Sequence, residues 1–455
     1  MKFNIIRLFV LVLGLTYATS CQINEVVDLD NPTVASVTND ASKPQLQILV
    51  TGLEARHRTY FGTATQMYGS FGREVWAYFG SDPRFVSEWL GIGKTNPEAT
   101  PDFFGSQNTY DAPWLAVKQA NVLIEAAENS TALSTEEANG YTGFAKTIKG
   151  YQMIWPLMSM WDNGIRIDVE DPLNPGPFVT RAEALKALRQ ILDDGFNDLQ
   201  AAGSTFSFTL SSGFAGFNTP AGMAQVNRAI AARLALYEGD WQGALNALNA
   251  SFFSLTGDFN LGPKHVYGEA PDVNNPLYYP FDRSTNTILI VHPTMIEDAL
   301  PGDKRVEAKF AKRILNPVQN PGLRDAAGNA LIGEYQDARW VTNITPIPFI
   351  RNEELILIYA EAHAQQNNAP EAVKAINAIR LKWGLSDYTG ATDTNALIEE
   401  ILFQRRYSLW AEGGHRWIDL RRTGRLNDTY IDLRDRGIIY TQIARPAAET
   451  NWDAR

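Results

Sequence analysis

The sequence predicts a mostly α fold built on paired helices and interrupted by one long irregular stretch. Three observations predict it. Apolar residues recur at helical spacing through most of the chain. Residues 226–250 and 353–380 each read as two short helices around a polar turn. Residues 251–345 hold eight prolines and turn clusters such as Asp272-Val273-Asn274-Asn275-Pro276, which break that rhythm.

The first twenty residues read as a secretory signal. Lys2 and Arg7 precede the apolar run Leu8 to Leu15, which is too short for a bilayer-spanning helix of about 20 residues. The run ends in Ala18-Thr19-Ser20-Cys21. This is similar to a bacterial lipoprotein processing site, with Ala18 where Leu is usual. Cys21, the only cysteine, is then the lipidated first residue of the mature chain; the competing reading is a plain signal with an incidental cysteine. Each buried lipid CH₂ contributes about 0.8 kcal/mol to membrane attachment. Residues 21–45, polar and with Pro32 and Pro44, read as a tether, and residues 46–455 as one domain.

Residues 45–60 place Leu46, Leu49, Val50 and Leu53 on one helical face. Residues 61–112 are rich in Gly and aromatics and read as mostly irregular. Pro113 suits a helix start, and Ala116, Ala120, Leu123 and Ala127 mark one face of the helix it opens. Residues 136–162 read as a longer helix with a kink or break at Pro156. Thr180 to Ala201 opens on a capping box, Thr-Arg-Ala-Glu. The two helix pairs carry small residues twelve apart, Ala232 and Ala244 in one, Ala360 and Ala372 in the other. Small residues there let antiparallel helices approach closely, which resembles the tetratricopeptide unit. The pairs are far apart and not tandem, which argues against a uniform solenoid. Aromatics in 251–345 (Tyr267, Tyr278, Tyr279, Phe281, Tyr335, Trp340) argue against disorder there.

Forty Lys and Arg against 51 Asp and Glu leave a net charge of −11, or −13 once Lys2 and Arg7 depart with the signal. That balance argues against nucleic acid as a partner. One cysteine excludes an intrachain disulfide framework and a thiolate metal cluster.

The most specific pattern lies in the last third. Arg351, Glu354, Leu357, Ala360, Glu361 and Ala362 form an Arg-x-x-Glu-x-x-Leu-x-x-Ala-Glu-Ala run. Asn377 and Arg380 follow, then Arg405 and Arg406, then Glu412, Gly413 and Arg416, then Asp419, Leu420, Arg421 and Arg422. This order resembles the SusD/RagB family of outer-membrane nutrient-binding lipoproteins. Earlier blocks agree: Trp114 with Ala120-Asn121, Gly140 to Tyr151, Ala231 to Asp240, and the closing Arg445-Pro446 with Glu449 and Asn451. The departures are Gln404 and Ser408, where the family usually has glutamates, and Gly414, which lengthens the Glu-Gly turn by one. These put local salt bridges in question. The charged motif residues read as scaffold, with Arg416, Asp419 and Arg421 pairing near Glu361 and Glu412.

The resemblance implies a SusD-like fold: tetratricopeptide-like pairs as scaffold, facing a partner, and a loop-rich ligand face. It implies a surface-exposed, lipid-anchored outer-membrane protein that captures an oligo- or polysaccharide. The glycan would pass to a SusC-like TonB-dependent transporter, with no catalysis, cofactor or metal. Sugar capture asks for aromatic rings beside groups that bond hydroxyls. The first loop segment offers Trp76, Tyr78, Phe79, Asp82, Arg84 and Trp89; the second offers Asn275, Tyr278, Tyr279 and Arg283; a third offers Glu334, Tyr335 and Trp340. Trp76 and Trp89 read equally well as core, and of the adjacent Tyr278 and Tyr279 one is expected to stack. Trp114, Trp155, Trp410 and Trp417 sit on helical faces and read as core. The alternatives are a peptide-binding member of the family, a tetratricopeptide adaptor, or a glycoside hydrolase. For the last, Asp193-Asp194 and Glu399-Glu400 read as solvated helix surface, and the five histidines form no zinc motif.

Overall fold

The computed structural model describes residues 34–82, 84–98 and 106–454; the signal and Cys21 lie outside the described residues. Helices α1 (Val34–Thr38), α2 (Lys43–His57) and α3 (Phe61–Phe71) lead into strand β1 (Val75–Phe79) and helix α4 (Arg84–Leu90). Long helices follow: α5 (Ser106–Asn129), α6 (Thr135–Met160) and α7 (Arg181–Gln200), with β2 (Ile165–Arg166) and β3 (Phe178–Val179) between the last two. The first helix pair is α8 (Pro220–Glu238) and α9 (Trp241–Asn249). The insertion carries β4 (Lys264–His265), β5 (Thr287–Val291), α10 (Thr294–Glu297), α11 (Lys304–Lys309) and β6 (Phe310–Lys312). It continues with β7 (Val318–Arg324), β8 (Ala330–Gly333), β9 (Tyr335–Asp337) and β10 (Ile347–Pro348). The second pair is α12 (Asn352–Gln365) and α13 (Ala369–Lys382), followed by α14 (Thr394–Ser408), α15 (His415–Arg422) and α16 (Ala447–Asp453).

Local chemistry sets these boundaries. The capping box at Thr180 is formed both ways: its hydroxyl accepts from the Glu183 N–H at 3.3 Å, and the Glu183 carboxylate accepts from the Thr180 N–H at 2.9 Å. Gly239, at φ 77°, ends α8 in the left-handed region, and Asp240 caps α9 by accepting from the Gly243 N–H at 2.8 Å. The alanines predicted to form the seams, Ala232, Ala244, Ala360 and Ala372, are all fully buried.

Two expectations are corrected. Residues 61–112 are not mostly irregular, because α3, β1, α4 and the start of α5 occupy much of that stretch. Pro113 does not start its helix, and Pro156 does not break its own. Pro113 lies within α5, which starts at Ser106, and Pro156 lies within an unbroken α6. From Gly140 onward α6 is buried almost throughout, so packing on all sides holds a helix that local propensity would break.

The insertion is ordered around a four-stranded antiparallel sheet, β1-β5-β9-β6. Its register pairs Trp76 with Ile290 and Ile290 with Gln336. Val75, Ala77, Leu289 and Val291 point into the main core, which the helices share. On the other face, Trp76, Ile288 and Ile290 form a satellite core with Val86 and Leu90 of α4 and Leu323 of β7. The sheet thereby joins residues 75–79 to the insertion more than 200 positions away.

Candidate ligand-binding face

Strand alternation decides where the predicted aromatics go. Trp76 is 0% exposed and meets the ring of His292 edge-on at 4.9 Å. Trp89, on α4, is 1% exposed within the main core. The expectation that both present their rings to a ligand is therefore corrected, since each fills the underside of a loop instead of its surface. Tyr78, two positions along β1, is half-buried at the edge of the satellite core. Asp82 and Arg84 form an exposed 2.6 Å ion pair that also holds the Asp82 carboxyl below its usual range.

The second segment is partly occupied by its own scaffolding. Asn275 is buried; its amide donates to the Thr345 carbonyl at 2.8 Å and its oxygen accepts from the Leu277 N–H at 2.8 Å. It clasps two loops, which corrects its assignment as an open ligand contact. Tyr279 accepts a 2.9 Å bond from the Gln66 amide and packs between the two cores. Tyr278 is half-buried and Arg283 exposed, and no such bond ties the Tyr278 ring among the described residues. In the third segment Tyr335 is half-buried with the Lys312 ammonium 5.8 Å above its ring, and Lys312 also pairs with the exposed Glu334. Trp340 donates its indole N–H to Asp337 at 2.9 Å, and the Arg339 guanidinium lies 4.8 Å from both its ring and that of Trp410.

Two residues missed from the sequence, Gln336 and Asp282, hold this face together. Gln336 of β9 is fully buried; its oxygen accepts from the Asp282 N–H at 3.1 Å and from Arg313, and its amide donates to the Tyr279 carbonyl at 3.3 Å. The Asp282 carboxylate accepts from the N–H groups of Ile314, Leu315 and Asn316 at 2.8–3.1 Å, bonds that hold its pKa below the usual range. These bonds put Phe281, 55% exposed, on the same loop cluster as the exposed Ile314 and Leu315. The available signal was Pro-Phe-Asp-Arg at 280–283: an aromatic beside a turn-forming acid.

The charged motif residues of the last third pair with one another and with Arg233. Arg233 grips Glu354 at 2.5 Å, Arg351 holds Glu412 at 2.9 Å, and Arg422 holds Glu361 at 2.5 Å and Asp419 at 2.8 Å. Arg405 adds a 2.6 Å bond to Asp419. Two of the expected pairings are corrected. Arg421 lies between the rings of Trp161 and Trp417 at 4.1 and 4.0 Å and donates to the carbonyls of Met158 and Thr441. Arg416 donates to the Tyr430 carbonyl at 3.0 Å. The inserted Gly414 is accommodated in the left-handed region at φ 81°, where a Cβ would lie 2.1 Å from Tyr68 Cβ.

Residues 332–453, which carry these pairs, match the model of the SusD family. That part of the chain is similar to the SusD family. Solved structures extend the likeness over nearly the whole fold. A SusD superfamily protein from Bacteroides vulgatus is 16% identical at TM-score 0.66, covering 90% of this chain and 97% of its own. Surface glycan-binding protein A from Bacteroides uniformis is 13% identical at TM-score 0.65, covering 91% and 98%. A laminarin-binding SusD-like protein is 17% identical at TM-score 0.65, covering 90% and 97%. No curated protein sequence matches the chain.

Burial lowers His57 to about 3 and His415 to about 4, and holds His265 and His292 well below the ordinary imidazole range, so all four are neutral. Glu399 and Glu400 are bound to Arg425 and Arg380, each at 2.6 Å. Among the described residues no group of three or more His, Cys, Asp or Glu is arranged to hold a metal ion, and no helix is long and apolar enough to cross a membrane.

Proposed function

We propose that this chain is a member of the SusD family and a non-catalytic glycan-binding protein. It captures an oligo- or polysaccharide on the sheet-built face and passes it to a SusC-like TonB-dependent transporter. One observation carries the reading. The β1-β5-β9-β6 sheet pairs residues 75–79 with 287–291 of the insertion, and these two strands and the segments that flank them carry half-buried Tyr78 and Tyr278, exposed Phe281 and Arg283, and the Asp82–Arg84 pair. Rings beside hydroxyl-bonding groups suit a polyhydroxyl ligand with apolar C–H faces. Two similarly folded proteins bear names that state binding, one of glycan and one of laminarin. The body, residues 46–455 as one domain, would be held at the outer membrane by a lipid on Cys21 and face outward.

Titration calorimetry against a panel of neutral oligosaccharides tests binding. Tyr278→Ala is expected to weaken affinity about tenfold, the scale of a lost ring contact, at unchanged melting temperature. Release of new reducing ends by the pure protein would contradict the non-catalytic reading. Cys21→Ala is expected to move the protein out of the membrane fraction, and retention there would refute the anchor.

A further inference from the structure

A second cavity lies away from the sheet-built face. On α5, Tyr110, Asp111, Trp114, Leu115 and Lys118 recur at three- and four-residue spacing and so share one side. They line a cavity of about 440 Å³ with the loop after β2 and with Glu449 of α16. That volume lies in the ordinary range of small-molecule pockets, about 300–1,000 Å³.

Its walls are fixed by bonds that leave the floor open. Arg166 spends its guanidinium on Glu449 at 2.8 Å, Asp453 at 2.6 Å and the Gly176 carbonyl at 2.6 Å. Tyr110 donates its hydroxyl to Glu449 at 2.9 Å. Trp114 differs from Trp155, Trp410 and Trp417, which are sealed in the core as expected; it is half-buried, so its assignment as core is corrected. Its indole nitrogen is buried without a hydrogen bond of good geometry, although it lies near enough to the Tyr110 hydroxyl to oppose the upward push of burial on that phenol. Leu115 is 46% exposed, and Asp111 and Lys118 are exposed at the rim.

Those groups narrow the ligand class. A purely apolar ligand would cover Asp111 without giving it a partner. An ion of either sign would meet its like as well as its opposite on the rim, Asp111 and Lys118 both lining the cavity. A pyranose offers a C–H face to the indole and hydroxyls that both donate and accept. We propose that this cavity is a second carbohydrate-binding site. Trp114 stacks on a sugar ring, and Asp111 and Lys118 bond its hydroxyls. The site shares no residue with the sheet-built face, so either can fail without the other.

Site-resolved NMR on the full chain labelled with ¹⁵N-indole tryptophan tests this. The Trp114 resonance is assigned by its loss in Trp114→Phe. Gluco-, manno-, galacto- and xylo-oligosaccharides of up to six residues serve as probes. The expected result is a saturable shift of the Trp114 resonance by at least one of them. That shift should persist in Tyr278→Ala and need about tenfold more sugar in Asp111→Ala, with the melting temperature of that rim variant unchanged. A Trp114 resonance that stays fixed with every probe, or moves only when Tyr278 is present, overturns the proposal. Loss of calorimetric binding in Tyr278→Ala while Trp114 still responds separates this site from the first.

Discussion

Glu74 sits at the α3–β1 junction, 1% exposed, with neither carboxylate oxygen hydrogen-bonded. Burial pushes its carboxyl up to about 8 against the opposing pull of Arg416 and Arg406. The sign follows from linkage: between the unfolded value near 4.5 and about 8, the folded chain holds a proton that the unfolded chain releases. Stability from this group is therefore intact below pH 4.5 and falls as pH rises through 8. Glu74→Gln is expected to gain roughly 1–3 kcal/mol relative to the parent between pH 5 and pH 9 in urea melts. A variant less stable than the parent at pH 9 would mean that Glu74 serves as an ionised partner of those arginines. Glu354 runs the opposite way. Burial raises it, but Arg233 outweighs burial and brings it to about 2. Its contribution is present above pH 4.5 and lost as pH falls toward 2. Glu354→Gln leaves Arg233 buried without its counter-charge and is expected to cost about 3–5 kcal/mol at pH 7, read from the urea midpoint. Pairing of this kind was legible as a class of residue but not partner by partner. Sequence separation, 121 positions for Arg233 and Glu354, hides which charges the packing brings together.

Elements were legible where local signals act alone, at the Thr180 capping box and the two alanine seams. They were less legible where packing overrides propensity, as at Pro113 and Pro156. The sheet was the main omission. β6 and β9 have only three residues each, and β9 pairs with strands on both sides, so these two strands offer no alternation long enough to read. Trp76 was ambiguous for the same reason: an exposed loop ring and a strand ring facing a satellite core look alike until β1 finds β5. The seams make a direct prediction. Ala232→Leu and Ala372→Leu each put a branched side chain where two helices already touch, at positions with no exposed surface. Each is expected to destabilise by about 1–3 kcal/mol, seen as a lower melting temperature. Binding at the sheet-built face should be unchanged at 10 °C, because the two seams lie outside the β1-β5-β9-β6 unit.

At the scale of the molecule, charge selects among ligands that a ring-lined face would otherwise accept alike. The chain carries −11 overall, and −13 without its first twenty residues. Most charges of the ligand face are matched, Asp82 to Arg84, Glu334 to Lys312 and Asp337 to Arg339, and Arg283 adds one further cation. A neutral glycan held by ring contacts and hydroxyl bonds has no charge for salt to screen. Its dissociation constant is expected to change less than twofold between 50 and 500 mM NaCl, where the Debye length falls from about 14 to about 4 Å. An acidic polysaccharide meets the opposing field of the whole body and should bind more weakly at low salt than at high. Calorimetric titrations of one neutral and one uronic-acid oligosaccharide at both salt concentrations separate the cases. Tighter binding of the acidic ligand at low salt would place Arg84 and Arg283 as its direct counter-charges, and would shift the ligand class from neutral to anionic glycans.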